Sequence, residues 1–260
     1  MADIHLGSMV MEDDGDGPAV VMVHGLGGTS NSFQTLMPAL AGYRVLRPDL
    51  PGAGRSHYRP GVPGMAGLVA ALKDALRAAS VERAHLVGHS MGTLVCQHLA
   101  AELPHSVLSM TLYGAILEPP PAARVALKER AAAAREHGMT GIAEAISAGS
   151  VDAASRRRNP VAVAFVRESL LRQDPEGYAA HCEALSEAQA ADHARIACPT
   201  LLVAGERDGV APVSMARELC GRIGGATMEV IGDIGHWMMV EAVERSRELL
   251  AGHLESAGEG

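Results

Sequence analysis

A five-residue stretch, Gly88-His89-Ser90-Met91-Gly92, is the part of this sequence best suited to covalent chemistry. It follows a short, largely apolar segment, residues 84–87, and precedes a segment in which apolar residues recur at helical spacing. Glycines that flank a sharp turn from strand to helix leave room where a Cβ would clash, and the first N–H groups of the helix favour developing negative charge. We therefore predict that Ser90 is a nucleophile. The alternative is a tight turn that merely contains a serine.

A serine hydroxyl is a poor nucleophile near pH 7 and needs a base to take its proton. Among the twelve histidines, His236 is placed best, because it follows a predicted strand and should lie at the same sheet edge as Ser90. The alternative is a histidine on a surface loop. Three other histidines are weaker candidates: His89, which we expect to point away within the turn; His253, on a late helix; and His24, which we expect to brace its loop.

A catalytic base of this kind needs an acid that fixes its tautomer and stabilises its charged form. Asp208 follows the preceding predicted strand, and it completes the chain order Ser, Asp, His. We predict that Asp208 is this acid. Glu206 and Glu118 remain alternatives.

A glycine-rich segment, His24-Gly25-Leu26-Gly27-Gly28, comes directly after the apolar run of residues 19–23. It contains neither the spacing of a dinucleotide-binding loop nor the lysine of a P-loop, so a nucleotide site is not expected. We predict instead that the backbone N–H of Leu26 faces Ser90 and, with that of Met91, forms an oxyanion hole. An ordinary turn between strand and helix is the alternative.

Predicted strands alternate with predicted helices over much of the chain, which indicates a parallel sheet. Ligands bind beyond the carboxyl ends of such strands, where Ser90 and the glycine-rich segment are expected to lie. The predicted fold class is α/β: a mostly parallel central sheet flanked by helices, with an inserted helical cap. Strands are predicted at 4–11 (one or two), 19–23, 43–46, 84–87, 107–113, 199–204 and 227–231, and helices at 31–40, 65–76, 91–99, 213–223 and 239–254.

The strand pattern stops in the middle of the chain, where segments 121–137, 139–148, 160–172 and 175–188 have helical character. We predict that residues 116–195 form a helical cap over the serine, and that residues 1–115 and 196–260 form the core. The basic run at 156–158 is expected to be a solvated surface rather than an anion site. Candidate residues for lining the substrate pocket are Gly25, Val125, Leu127, Met139, Ile142, Ile146, Val163, Val166, Leu170 and Trp237.

Composition excludes several classes of function. The net charge of −8 argues against nucleic acid and against an anionic membrane surface as partners. No apolar run approaches a membrane span, and no signal peptide is evident, so we expect a cytoplasmic protein. The four cysteines lack paired or zinc-like spacing and are expected to be reduced. We expect a small-molecule substrate, no metal and no cofactor; monomer and homodimer both remain open.

Together, these segments resemble landmarks of the α/β-hydrolase superfamily over nearly the whole predicted core. The landmarks are residues 24–28, 49–56, 88–92, 205–208 and 235–236. Within the superfamily, residues 176–185 and 198–200 are similar to 3-oxoadipate enol-lactonases and related carboxylesterases. The resemblance implies a nucleophile at Ser90, an acid at Asp208 and a base at His236, with oxyanion N–H groups at Leu26 and Met91.

The resulting functional hypothesis is a cofactor-independent hydrolase of small carboxylic esters or lactones that works through an acyl-enzyme. A second hypothesis is hydrolysis of a carbon–carbon bond in a ring-cleavage product, because the same triad serves both reactions. A third is a non-catalytic small-molecule receptor on the same fold, since a fold does not determine its function.

Overall fold

Eight strands form one sheet, in the order β1-β2-β4-β3-β5-β6-β7-β8. The computed structural model describes residues 2–6, 9–58 and 64–258, so residues 7 and 8 of the predicted strand region 4–11 lie outside the described residues. The strands are β1 (Ala2–Leu6), β2 (Met9–Asp14), β3 (Ala19–Val23), β4 (Arg44–Asp49), β5 (Ala84–His89), β6 (Val107–Tyr113), β7 (Thr200–Gly205) and β8 (Thr227–Ile231).

The sheet is mostly parallel, as predicted. Strands β1 and β2 pair antiparallel with each other, and β2 pairs antiparallel with β4. All pairs from β4 through β3, β5, β6 and β7 to β8 are parallel. The central strands β3, β5 and β7 are buried along their whole length, which explains why their sequences are largely apolar runs rather than alternating patterns.

Five α-helices of the described residues lie outside the segment between β6 and β7. They are α1 (Gly64–Ala78), α2 (Met91–Glu102), α8 (Val213–Arg222), α9 (Met238–Glu241) and α10 (Val243–Gly258). The predicted helix at 31–40 is a 3-10 helix, Ser30–Leu40, which contains Pro38 and is capped by Thr29. The predicted helix at 239–254 is two helices, α9 and α10. No helix in the described part of the chain has the length and apolar character to cross a membrane.

Five α-helices and a short 3-10 helix, His193–Arg195, lie between β6 and β7, where the sequence predicted four helices. The five α-helices are the longer elements. They are α3 (Pro121–His137), α4 (Thr140–Ser150), α5 (Ala153–Arg158), α6 (Pro160–Leu171) and α7 (Pro175–Glu187). The additional helix, α5, begins after Asp152, whose carboxylate accepts the N–H groups of Ala154 and Ser155. Helix α7 contacts the core directly, because the His181 ring donates to the Pro51 carbonyl at 2.8 Å.

Candidate active site

Ser90 lies at the turn between β5 and α2, with φ 52° and ψ −122°. A positive φ is unfavourable for a residue with a side chain, so the surrounding structure must hold this conformation. The Ser90 N–H donates to the Tyr113 carbonyl at 3.0 Å. The Ser90 carbonyl accepts the Thr93 N–H at 2.8 Å and the Thr93 hydroxyl at 2.6 Å. The bond to Tyr113 anchors the strained turn to the neighbouring strand β6, and the two bonds from Thr93 anchor it to the first turn of α2.

The glycine-rich segment after β3 packs directly against this turn. A Cβ on Gly92 would lie 2.1 Å from the Val23 carbonyl oxygen, and a Cβ on Gly25 would lie 2.7 Å from the Cβ of Ser90. Only glycine therefore fits at these two points. The close approach places Leu26 in the wall of the cavity that Ser90 also lines, while Met91 is the first residue of α2. The two residues predicted to supply oxyanion N–H groups thus belong to the two segments that meet here.

Buried polar groups hold the glycine-rich segment in place. The His24 Nδ1–H donates to the Gly25 carbonyl at 2.8 Å, and its Nε2 accepts the Leu50 N–H at 2.9 Å. Burial lowers the pKa of His24, so the ring is neutral and this tautomer satisfies both bonds. The Asp49 carboxylate accepts the Ser30 N–H at 2.7 Å and the Arg55 Nε–H at 2.8 Å. Although burial alone would raise the pKa of Asp49, these bonds bring it below its usual value.

His236 and Asp208 form a buried pair beyond the ends of β8 and β7. The His236 Nδ1–H donates to Asp208 Oδ2 at 2.7 Å. The other carboxylate oxygen accepts the N–H groups of Val210 and Ala211 at 2.8 and 2.9 Å. Burial acts to raise the pKa of Asp208, but the neighbouring His236 and the two N–H donors outweigh it and lower that pKa. The acid is therefore ionised at neutral pH.

The two alternative acids make other contacts. The Glu206 carboxylate accepts the Asp233 N–H at 3.1 Å, and Glu118 pairs with Arg124 at 3.7 Å. The structure therefore brings together His236 and Asp208 rather than His236 and either glutamate.

The expectation that His89 points away from the site is wrong. Its ring centroid lies 4.9 Å from that of His236 and 4.8 Å from a ring centroid of Trp237, and His89 lines the same cavity. The His89 Nε2–H donates to the His236 carbonyl at 2.9 Å. Burial, and then the charge of His236, lower the pKa of His89 to about 3, so it stays neutral. His89 thus supports the backbone of residues 232–237, the loop that carries His236 and that we call the histidine loop.

Glu241 holds the same loop from the other side, and sequence reasoning missed it. Its carboxylate accepts the N–H groups of Trp237 at 2.9 Å and of Gly235 at 3.1 Å, on either side of His236. It also accepts the N–H of Asp152, at the start of α5, at 2.9 Å. The sequence offers one signal for this role: Glu241 lies four residues after Trp237, and Trp237 directly precedes a helix.

The last residue of α4, Ser150, adds two bonds to the same loop. The Ser150 carbonyl accepts the His236 N–H at 2.8 Å, and its hydroxyl accepts the Trp237 indole N–H at 2.9 Å. The helices between β6 and β7 therefore take part in holding the histidine.

Ser90, His89 and His236 line one cavity of about 260 Å³. This is just below the roughly 300–1,000 Å³ of typical ligand pockets. In addition to Leu26, His89, Ser90, Ser150, His236 and Trp237, its lining residues are Ile116, Pro119, Pro120, Ala123, Ala126, Leu127, Arg130, Ile146, Tyr178, Leu185, Gly209, Val210 and Met215.

Three of the candidate lining residues, Leu127, Ile146 and Trp237, are among these residues. The others are not: Gly25, Val125, Met139, Ile142, Val163, Val166 and Leu170. Gly25 lies beneath the Ser90 turn, Val125 is exposed, and Leu170 packs on Gly27. Ile142 faces an outer depression between α3 and α4. Helical periodicity identifies an apolar face, but it does not determine whether that face meets the cavity or another helix.

The charged and sulfur-containing groups away from the cavity are not arranged as a metal centre. Among the described residues, no three His, Cys, Asp or Glu side chains are placed to hold a metal ion. All four cysteines are free thiols. The basic run at 156–158 is exposed and is not part of the cavity lining. The cavity is lined by a serine hydroxyl and by a histidine that a buried carboxylate holds.

Comparison with known proteins points to one family. Residues 18–243 match the family model described as alpha/beta hydrolase fold. A pyrrolizixenacetamide deacetylase from Xenorhabdus hominickii is 30% identical over 94% of this chain and 93% of its own length. A 2-hydroxy-6-oxo-6-phenylhexa-2,4-dienoate hydrolase from Comamonas testosteroni is 40% identical over 38% of this chain and 37% of its own. The crystal structure of the enol-lactonase from Burkholderia xenovorans LB400 superposes with a TM-score of 0.90 and 26% identity, covering 98% of this chain and all of that one.

Proposed function

This chain belongs to the alpha/beta hydrolase fold family, and from that premise we propose that it is a serine hydrolase of small carboxylic esters or lactones that needs no cofactor. The observation that carries the proposal is the buried His236–Asp208 pair, 2.7 Å apart, at a cavity that Ser90 also lines. The similarity to a deacetylase and to an enol-lactonase supports cleavage of a bond at an acyl carbon. The cavity volume and its apolar walls favour a small substrate.

The proposed reaction begins with attack of the Ser90 Oγ on the carbonyl carbon. Because His236 Nδ1 binds Asp208, its Nε2 is left to take the serine proton. The carbonyl oxygen becomes an oxyanion, which the N–H groups of Leu26 and Met91 stabilise. The carbon–oxygen bond to the leaving group then breaks, and His236 gives its proton to the departing alkoxide. This leaves an acyl-enzyme on Ser90.

The second half of the reaction repeats these steps with water. His236 Nε2 takes a proton from water, and the hydroxide attacks the acyl carbon. The bond to Ser90 Oγ breaks, the serine recovers its proton from His236, and the carboxylic acid leaves. Asp208 stays ionised throughout and stabilises the positive imidazole ring. In a lactone the alcohol and the acid are parts of one product.

We further propose that residues 116–195 act as a cap. Most of the apolar cavity wall comes from this part of the chain, including Leu127, Ile146 and Leu185. Substrate choice would then depend mainly on these helices, and bond cleavage on the strand ends.

A second candidate is hydrolysis of a carbon–carbon bond, which the local similarity to a dienoate hydrolase favours. The same serine, histidine and aspartate would serve it. A panel of esters, lactones and vinylogous diketones separates the two candidates, because turnover of the esters and lactones alone rules out the second.

The experiment that tests the proposal is intact-mass analysis after treatment with a fluorophosphonate, together with turnover of 4-nitrophenyl acetate. We expect one adduct, and we expect Ser90→Ala to lose it and to lower turnover by about 10⁴-fold or more. Ser80→Ala is a matched control, because Ser80 is also a serine with positive φ but lies outside the cavity. An adduct that persists in Ser90→Ala would contradict the proposal. Tight ligand binding without turnover would instead indicate a receptor.

A further inference from the structure

Arg130 is the one side chain with a permanent charge among the described residues that line the cavity. The remaining walls are apolar or neutral, apart from the titratable His236. Arg130 lies on α3, and with Ile146 it also lines an outer depression between α3 and α4. A guanidinium in this position borders both the cavity and the solvent. The protein as a whole is acidic, with a net charge of −8, so Arg130 is not one cation among many on a generally basic surface.

The other arginines of α3 have acidic partners, whereas Arg130 has none among the described residues. Arg124 pairs with Glu118, and Arg135 binds both carboxylate oxygens of Glu183. Arg130 instead lies close enough to Tyr178, on α7, for its charge to act on the hydroxyl. Burial raises the pKa of Tyr178 more strongly than this charge lowers it, so the tyrosine is a neutral partner. The charge of Arg130 is therefore not neutralised within the cavity.

We propose that Arg130 binds a carboxylate of the substrate, so that the preferred esters or lactones carry a carboxylate remote from the scissile carbonyl. This inference rests on the proposed hydrolase function. A guanidinium matches a carboxylate geometrically and can donate two parallel hydrogen bonds to it. A phosphate dianion fits less well, because one arginine leaves its second charge uncompensated against apolar walls.

A pair of esters that differ only at the far end of the acyl chain tests the proposal. The 4-nitrophenyl monoester of glutaric acid ends in a carboxylate, and 4-nitrophenyl valerate ends in a methyl group at the same length. Arg130→Met keeps an unbranched, largely apolar side chain and removes the guanidinium charge. We expect this variant to lower kcat/KM for the glutarate ester by about 10- to 100-fold, mainly through KM, and to leave the valerate within about threefold. Arg130→Lys should restore part of the loss.

Arg135→Met is the matched control, because it removes a cation of the same helix that pairs with glutamates outside the cavity. It should leave the preference between the two esters unchanged. Should Arg130→Met not fold, inhibition of wild-type valerate hydrolysis by glutarate and by neutral valeramide gives a second measurement, and glutarate should compete better.

The outcomes separate this inference from the proposed function. If the wild type hydrolyses valerate and Arg130→Met leaves the ratio between the two esters unchanged, the carboxylate site is wrong and the hydrolase stands. Equal inhibition by glutarate and valeramide has the same meaning. If the wild type hydrolyses neither ester and forms no fluorophosphonate adduct, the hydrolase function itself fails, and the carboxylate site fails with it.

Discussion

The strand ends and the helices between β6 and β7 border the same cavity, but they are constrained in different ways. At the strand ends the backbone holds the proposed catalytic groups: Ser90 has a positive φ, and Asp208 accepts two backbone N–H groups. In the helices, ordinary helical backbone presents side chains such as Leu127 and Ile146. The first arrangement permits few substitutions, whereas the second permits many side chains of similar volume.

Hydrogen bonds between the two regions concentrate at the loops that carry the site. Ser169 and Gln173, on α6 and just after it, donate to the Gly27 carbonyl at 2.7 and 3.2 Å. Ser150 and Asp152 bind the histidine loop, directly or through Glu241. The helices between β6 and β7 therefore do more than line the cavity, because they also hold two of the loops that surround Ser90.

Gly92→Ala should have the largest effect among the variants that test this difference in constraint between the two regions. In an ordinary helix the change would be favourable, but here the new Cβ would lie 2.1 Å from the Val23 carbonyl and 2.6 Å from that of His24. Because backbone atoms cannot move aside cheaply, we expect a loss of about 3 kcal/mol or more in the free energy of unfolding. Urea titration measures it.

Gly141→Ala provides the matched control in the helices between β6 and β7. Gly141 lies within α4, and nothing lies within 4 Å of the position that its Cβ would take. We expect a gain of about 0.5–1 kcal/mol, from helix propensity alone. Equal losses at both glycines would show that the two regions are not constrained differently.

The next effect concerns His181, which joins α7 to the core. Burial, and then the neighbouring His24, lower the pKa of His181 from 6.5 to about 4. An unfolded chain binds this proton near pH 6.5 and the folded protein does not, so the stabilisation is complete above pH 6.5 and is lost as the pH falls towards 4. When the pH falls by 1.5 units, from 6.5 to 5, His181 alone should lower the free energy of unfolding by about 2 kcal/mol.

His181→Gln tests this pH dependence, because the amide stays neutral and can still donate to the Pro51 carbonyl. Urea titrations between pH 5 and 8 should show a smaller loss of unfolding free energy on acidification in the variant than in the wild type. His105→Gln serves as a control for histidine removal, because His105 is exposed. Parallel curves for wild type and His181→Gln would mean that the contact between α7 and the core does not govern acid stability.

The same difference between the regions explains what could be predicted from sequence. The strand-to-helix turn at Ser90 was predictable, because its backbone geometry requires glycine at positions such as Gly92. The sheet was predictable in class, since buried parallel strands need apolar runs such as residues 19–23. The 3-10 helix, in contrast, resembles an α-helix in its periodicity, although Pro38 lies within it.

Contacts between distant segments could not be predicted. The side of the turn on which His89 lies depends on its hydrogen bond to the His236 carbonyl, 147 positions along the chain. Glu241 binds the N–H of Asp152, 89 positions away. Arg130 is one of several arginines on α3, and its sequence neighbours do not indicate which of them meets the cavity. Such residues obey no local pattern, because their neighbours are fixed only by the tertiary packing.

The last and smallest of these effects is expected from Glu241→Gln. This variant tests most directly whether the helices between β6 and β7 help to position His236. The amide keeps one acceptor oxygen in place of two, so at least one of the N–H groups of Gly235, Trp237 and Asp152 loses its bond. We expect kcat for 4-nitrophenyl valerate to fall about tenfold, because His236 is held less firmly, with KM changed less than threefold. Glu183→Gln, at an ion pair on the outer surface, should leave kcat unchanged. If Glu241→Gln lowers the free energy of unfolding but not kcat, the contact serves stability alone, and the helices between β6 and β7 do not help to position His236.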